Sequence, residues 1–433
     1  MTRPLVTRKS GPLTGTVRVP GDKSITHRSV IFGSMARGVT RVRGYLPSED
    51  CRATIDGFRA MGVEIAVERG ELTIESPGWK SLSEPGNVID CGNSGTTARL
   101  LTGLLSGLEF FSVLTGDASL RGRPMGRVAT PLEQMGARIS GRDGGRRLPL
   151  AIQGGGLSGI DYTSPVASAQ VKTAMLLAGI TARGTTRVSE PALSRDHTER
   201  MLPAFGVALE RDQSGVSVAG GQELTPADVT VPGDISSAAF LIAAATLVPG
   251  SELTLENVGV NPTRTGILEV LKGMGADVRE INPREAGGEP VADLVVRHTP
   301  LTGIEIAPEL VPATIDEFPI LFATASMARG TTTVRGADEL RVKESDRIAA
   351  MARELGRVGV RVEEHPDGLS VTGPGQAHGA RCEAYGDHRL AMSMAILGLV
   401  ADGDMTVDAT PIATSFPGFS DLLRGAGADL EQA

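Results

Sequence analysis

Leu132-Glu-Gln-Met-Gly-Ala-Arg-Ile139 sets a pattern: an apolar residue, three others, a glycine, then alternating apolar positions. It recurs as Phe58-Arg-Ala-Met-Gly-Val-Glu-Ile65, Leu202-Pro-Ala-Phe-Gly-Val-Ala-Leu209, Leu271-Lys-Gly-Met-Gly-Ala-Asp-Val278, Leu355-Gly-Arg-Val-Gly-Val-Arg-Val362 and Leu423-Arg-Gly-Ala-Gly-Ala-Asp-Leu430. Glycine takes a left-handed turn at little cost, so each copy predicts a helix closed by its glycine and followed by a strand. Six copies spread along the chain make this a repeated α/β unit.

A second series interleaves with the first. Apolar helices are expected over roughly Ser24 to Gly38, Ser94 to Gly107, Ser168 to Gly184, Ser236 to Gly250, Asp316 to Gly330 and His388 to Gly403, each ending in glycine and usually followed by a Thr-rich strand. Stretches such as Ala238-Ala-Phe-Leu-Ile-Ala-Ala-Ala245 are apolar on every face, which a solvent-side helix would not be. These helices are therefore placed inside, with sheets outside.

Val19-Pro20-Gly21-Asp22-Lys23-Ser24 is half-copied at Val231-Pro232-Gly233-Asp234-Ile235-Ser236. Pro-Gly-Asp bends the chain and Ser caps a helix, so the shared letters read as scaffold and mark crossovers near Pro20 and Pro232. The expected division is 1–20 plus 233–433 in one domain and 21–232 in the other, three repeats each. In the second copy Ile235 replaces Lys23 and Phe240 replaces Arg28, which points to Lys23, Ser24 and Arg28 as the part that carries chemistry.

The chain has 433 residues, 40% hydrophobic and 22% charged, with a net charge of −8. It has ample apolar material for cores, and the negative balance argues against a nucleic-acid partner. Cys51, Cys91 and Cys382 lack metal or disulfide spacing and read as packing residues in a reducing compartment. Met1-Thr2-Arg3-Pro4 opens no apolar leader and no apolar run reaches membrane-spanning length, so a cytoplasmic protein with no membrane partner is expected.

Polar residues gather at expected helix starts, where unpaired N–H groups and the helix dipole favour anions. One series of starts holds Lys23, Ser24 and Arg28, then Asn93-Ser-Gly-Thr-Thr-Ala-Arg99, Ser168-Ala-Gln-Val-Lys172, Asp316-Glu317 and Asp387-His-Arg389. The other holds Arg123-Pro-Met-Gly126, Ser194-Arg-Asp-His-Thr-Glu199, Asn261-Pro-Thr-Arg264 and Lys343-Glu-Ser-Asp-Arg347. Any one alone is a capped helix terminus, but so many cations in an acidic chain suit a small ligand with several phosphate or carboxylate groups. Gly154-Gly-Gly-Leu-Ser-Gly159 fits a dinucleotide fingerprint but precedes Ile-Asp-Tyr-Thr-Ser-Pro instead of a helix. No P-loop and no metal-binding histidine spacing is present, and His197 and Glu199 read as local hydrogen-bonding groups.

Together these motifs resemble the 5-enolpyruvylshikimate-3-phosphate (EPSP) synthase family over nearly the whole chain. Gly-Asp-Lys-Ser at 21–24, Ser-Ala-Gln-Val-Lys at 168–172, Arg-Asp-His-Thr-Glu at 195–199 and Asn-Pro-Thr-Arg at 261–264 look like the signature of its second, glyphosate-tolerant class, and Arg123-Pro-Met-Gly126 and Arg341-Val-Lys-Glu-Ser-Asp-Arg347 accompany them. The resemblance implies a two-domain inside-out α/β barrel of six repeats, with buried parallel helices, sheets outside and the active site in the cleft between the domains. It implies transfer of the enolpyruvyl group of phosphoenolpyruvate to the 5-hydroxyl of shikimate 3-phosphate, on the route to aromatic amino acids, with release of phosphate, no metal and no cofactor. Shikimate 3-phosphate would be held by Lys23, Ser24, Arg28, Ser168, Ala169, Gln170, Arg195, Asp316 and Lys343. Phosphoenolpyruvate would be held by Lys23, Asn93, Gly95, Arg123, Gln170, Arg347 and Arg389. Asp316 would be the base, Glu344 the proton donor, and Lys23 would serve both substrates.

A monomer is expected, with glyphosate as an inhibitor. Gly95 stands where tolerant members of the family carry alanine, which predicts weaker tolerance, and Thr414 stands where the sensitive class has a lysine. The alternative within the fold is a UDP-N-acetylglucosamine enolpyruvyl transferase, to which Arg28 and Lys343 fit less well. A non-catalytic ring such as a DNA clamp is disfavoured by the acidic charge balance.

Overall fold

A computed structural model describes residues 4–68, 70–212 and 214–432. Met1 to Arg3, read above for a leader, lie outside the described residues. The chain divides into two compact units. One is continuous, Gly21–Val231, joined by Ala286–Glu289; the other takes the segment ending at Pro20, Pro232–Glu285 and the segment from Pro290 onward.

The helix series fall where the two apolar patterns differ. In the continuous unit Lys23–Met35, Gly95–Gly107 and Ala169–Thr181 are buried helices, and in the discontinuous unit Ile235–Leu247, Phe318–Ala325 and His388–Gly398 are. Every side chain of Ile235–Leu247 is inside, as its lack of a polar face requires. The other series is half-exposed: Glu49–Arg59 buries Cys51, Thr54, Ile55 and Phe58 and turns its charges outward.

Each unit carries three sheets, all on one plan. In the continuous unit Ile89–Asp90 runs parallel to Phe111–Thr115, which pairs antiparallel with Arg147–Gln153, which pairs antiparallel with Arg138–Gly141. The plan repeats with Val229–Thr230, Arg37–Arg43, Glu71–Pro77 and Glu64–Glu68, and with Asp161–Thr163, Thr185–Ser189, Gly215–Ala219 and Leu209–Asp212. In the discontinuous unit it appears as Arg381–Cys382, Met405–Asp408, Pro4–Thr7 and Leu430–Gln432, and as Thr14–Val17, Glu252–Gly259, Glu289–Arg297 and Asp277–Ala286. The sixth sheet has Gly330–Val334, Gly368–Gly373 and Arg361–His365, with single bridges at Thr302 and Glu305 instead of a fourth strand. Burial alternates along strands such as Glu71–Pro77, Arg147–Gln153 and Phe111–Thr115, so there one face of the sheet is buried and the other is wet.

All six repeat glycines have positive φ, from +79° at Gly206 to +105° at Gly427. The second series departs from expectation once. Gly38, Gly184, Gly250, Gly330 and Gly403 are left-handed, but Gly107 is the last helical residue and is required for space: a Cβ there would stand 1.8 Å from Thr181 Oγ1. Among the described residues no helix is long and apolar enough to cross a membrane, and all three cysteines are buried and unbridged.

Candidate active site

In the continuous unit Asp22 caps the first buried helix by accepting the Ile25 N–H at 2.8 Å, which brings Lys23 to the helix mouth. Lys23 Nζ lies 3.1 Å from Asp50 Oδ2, with about a fifth of the lysine side chain exposed. Ser24 is half-buried beside it. Arg28, one turn on, points inward: its Nε and Nη2 donate to Thr198 and Thr173 at 2.8 Å and its Nη1 to the Ser24 carbonyl at 3.0 Å. Burial pushes the Arg28 pKa down to about 10, with Glu199 and Asp22 opposing the shift. Between these cations His27 is fully buried and donates to or accepts from Thr54 Oγ1 at 2.7 Å. Burial, reinforced by Lys23 and Arg28, lowers its pKa to about 3, so it is a neutral spacer.

The next two helix mouths carry the amide and guanidinium groups. Ser94 caps the helix opening at Gly95, and Asn93 donates to Asp117 at 2.7 Å while its carbonyl accepts Arg123 Nη2 at 2.6 Å. Ser168 caps Ala169–Thr181, and Gln170 accepts from Arg99 at 2.8 Å and donates to Thr96 at 3.0 Å. A Cβ on Gly95 would stand 2.8 Å from Arg99 Nη1 and 3.5 Å from Arg123 Nη1, so the backbone there abuts two guanidinium groups. Arg99 lies in the Asn93–Arg99 motif without a role assigned from sequence; its bond to Gln170 joins two residues 71 apart in sequence, on different helices.

Lys172 is buried between Glu190 at 2.9 Å and Glu199 at 2.8 Å, and Glu190 also receives the Ser168 N–H and the Ser194 hydroxyl. This holds the segment bearing Arg195 against the Ser168 helix. The expectation of purely local bonding for His197 and Glu199 is corrected here: His197 pairs with Glu289 at 2.8 Å and Glu199 with Lys172. Both partners are distant in sequence and chosen by packing.

In the discontinuous unit Asp316 sits in the turn before Phe318–Ala325, ringed by three cations. Lys343 Nζ and Arg347 Nη1 stand 3.7 and 3.6 Å from Oδ1, and Arg389 Nη2 stands 4.0 Å from Oδ2. Arg347, 1% exposed, also donates to Glu344 at 2.7 Å and to Asp387 at 2.8 Å. Burial alone would lower the Arg347 pKa, but Asp387 and Glu344 outweigh it and hold it raised. Both expected acid–base carboxylates therefore lean on one buried guanidinium.

The half copy is more than scaffold. Its Asp234 caps Ser236, and buried Arg264 donates to Asp234 at 3.1 Å and to Ser236 at 2.7 Å. The cation missing at 235 and 240 is supplied from the Asn-Pro-Thr-Arg motif, with Arg264 buried against the start of Ile235–Leu247. Ser236 in turn donates to Glu317, the neighbour of Asp316.

Residues 7–423 match the model of the EPSP synthase (3-phosphoshikimate 1-carboxyvinyltransferase) family. The chain belongs to this family. It is 59% identical over 419 residues to the 3-phosphoshikimate 1-carboxyvinyltransferase of Citrifermentans bemidjiense, covering 96% of this chain and 98% of the relative. A Geobacter sp. protein of the same description is 60% identical over 95% of this chain and 96% of its own length. Among solved structures, EPSP synthase from Acinetobacter baumannii shares 46% identity with full coverage of both chains and a TM-score of 0.89. The enolpyruvyl transferase NikO from Streptomyces tendae, 19% identical with a TM-score of 0.81 over 100% of this chain and 99% of its own, shares the fold.

Proposed function

We propose that the two clusters of cations and amides described above carry the reaction of an EPSP synthase. The chain transfers the enolpyruvyl group of phosphoenolpyruvate to the 5-hydroxyl of shikimate 3-phosphate and releases phosphate. The observation that carries the division of roles is the sharing of Arg347 by Asp316 and Glu344, with Lys343 and Arg389 alongside. Asp316 takes the proton of the attacking hydroxyl as its oxygen bonds to C2 of phosphoenolpyruvate, while Glu344 protonates the methylene carbon. The tetrahedral adduct then loses phosphate and a methyl proton, which restores the enol ether. Shikimate 3-phosphate is assigned to Lys23, Ser24, Arg28, Ser168, Ala169, Gln170, Arg195, Asp316 and Lys343. Phosphoenolpyruvate is assigned to Lys23, Asn93, Gly95, Arg123, Gln170, Arg347 and Arg389. Fixed cations placed where charge builds up contribute at least as much as the two proton transfers.

The same reading assigns a cytoplasmic monomer, with glyphosate competing for the phosphoenolpyruvate groups. Phosphate release from phosphoenolpyruvate is expected only when shikimate 3-phosphate is present, and added glyphosate should raise the apparent KM for phosphoenolpyruvate. Release that ignores shikimate 3-phosphate would overturn the reading.

A further inference from the structure

The turn ahead of Asp387 is held in a conformation that its sequence does not favour. Tyr385 has φ +52° and Gly386 follows at +70°. The other described non-glycine residues with positive φ are Asp143, Asn257 and Asn282, types whose short polar side chains tolerate this region. A tyrosine there is strained unless something else fixes it.

What fixes it is a buried carboxylate. The Tyr385 hydroxyl donates to Glu354 Oε1 at 2.7 Å. Glu354, with no exposed surface, accepts the Glu383 N–H at 3.2 Å and Arg357 Nε at 2.9 Å on its other oxygen. Arg353 lies over the tyrosine ring, 5.6 Å from its centroid, and donates to its hydroxyl at 3.3 Å. Glu354 and Arg347 are seven residues apart on the helix Arg347–Arg357, hence on one face. The turn is thereby fastened to the helix that begins with Arg347. Two residues after Tyr385, Asp387 accepts Arg347 Nε at 2.8 Å and the Ser345 hydroxyl at 3.1 Å, and caps the Arg389 N–H at 2.9 Å.

We propose that Glu354 and Tyr385 are positioning residues for the transfer reaction: their hydrogen bond sets the Tyr385–Asp387 turn, and through Asp387 it aims Arg347 and Arg389. The proposal rests on the assignment of those two arginines to phosphoenolpyruvate. Tyr385 is 37% exposed, so its ring contributes little to the core, and asparagine or glycine would satisfy the backbone better. The hydroxyl's reach to Glu354 is what a tyrosine adds.

The test uses the full chain, steady-state phosphate release with each substrate varied, and thermal unfolding. Tyr385→Phe should raise the KM for phosphoenolpyruvate and lower kcat, each about tenfold. The KM for shikimate 3-phosphate should stay within about twofold and Tm within about 3 °C. Tyr385→Asn should match these kinetics without a lower Tm, since it suits the left-handed turn. Glu354→Gln, whose single carbonyl oxygen cannot accept from both the Tyr385 hydroxyl and the Glu383 N–H, should shift the KM for phosphoenolpyruvate and kcat in the same direction as Tyr385→Phe. Arg347→Gln is the reference. If it raises the KM for phosphoenolpyruvate while Tyr385→Phe is kinetically normal, the positioning role is wrong. Equal rises in both KM values with a fall in Tm would reduce the pair to general scaffolding and also overturn it. If Arg347→Gln leaves the KM for phosphoenolpyruvate unchanged, the arginine assignment fails and this proposal fails with it.

Discussion

Arg347 is the residue on which the discontinuous unit's charges converge, and its neighbours make different demands. Asp387 anchors it from behind, while Glu344 and Asp316 keep part of their surface open, about a fifth each. Burial alone would raise the Asp387 pKa; Arg347 overrides it and holds the carboxyl below its ordinary range. Asp316→Asn or Glu344→Gln should therefore keep shikimate 3-phosphate binding by calorimetry while lowering kcat by roughly 10²–10⁴-fold. Turnover at the wild-type rate in both variants would remove the proton-transfer roles. His27 gives a pH signature. Its folded pKa of about 3 lies below the ordinary 6.5, so below about pH 6.5 the unfolded chain binds a proton that the folded chain refuses. Its contribution to stability is thus present above pH 6.5 and is lost as pH falls toward 3. His27→Gln should flatten the drop in urea midpoint between pH 7 and pH 4.5; an unchanged drop would show that His27 does not titrate this way. Lys23 stands out in the sequence because its stretch is contiguous and its partial copy at 231–236 lacks the cation, whereas the roles proposed for Asp316 and Arg347 rest on the family resemblance. Arg99, Glu354 and Glu289 do not stand out, because each acquires its role from a partner tens of residues away.

Helix identity and order followed from local rules, and helix contacts did not. The six turn glycines were readable because a positive φ is costly for most side chains and nearly free for glycine. The tight approach of Gly95–Gly107 to Ala169–Thr181 was not, since nothing local distinguishes Gly103 from a weak helix residue. A Cβ at Gly103 would stand 2.3 Å from the Ala174 carbonyl oxygen and 2.7 Å from its Cα, both backbone atoms that cannot step aside. Gly103→Ala should cost about 2–3 kcal/mol by urea unfolding. Gly356, also helical, meets no atom within 4 Å, and Gly356→Ala should stabilise by roughly 0.5–1 kcal/mol. Equal effects at the two sites would show that helix propensity, not interhelical spacing, governs both.

At the scale of the molecule the chain's first strands belong with its last. Pro4–Thr7 lies between Met405–Asp408 and Leu430–Gln432, and Thr14–Val17 edges the sheet of Glu252–Gly259. Deleting residues 1–20 removes a central strand, so it should abolish cooperative unfolding of the discontinuous unit. The segment 21–231 expressed alone should keep helical circular dichroism and resist proteolysis, because its three sheets draw every strand from within it. A protease-labile fragment would show that it depends on the remainder of the chain. The repeat, the buried helix series and the glycine turns can be read from the sequence because steric limits, apolar periodicity and capping act between near neighbours, and the family resemblance rests on its contiguous motifs. Packing across the fold turns Arg28 and Arg264 inward, sets Lys172 between two glutamates, brings Glu289 to His197 and has Asp316 and Glu344 share Arg347. A buried charge takes whichever opposite charge the packing brings within reach, and that choice is made across the fold, not along the chain.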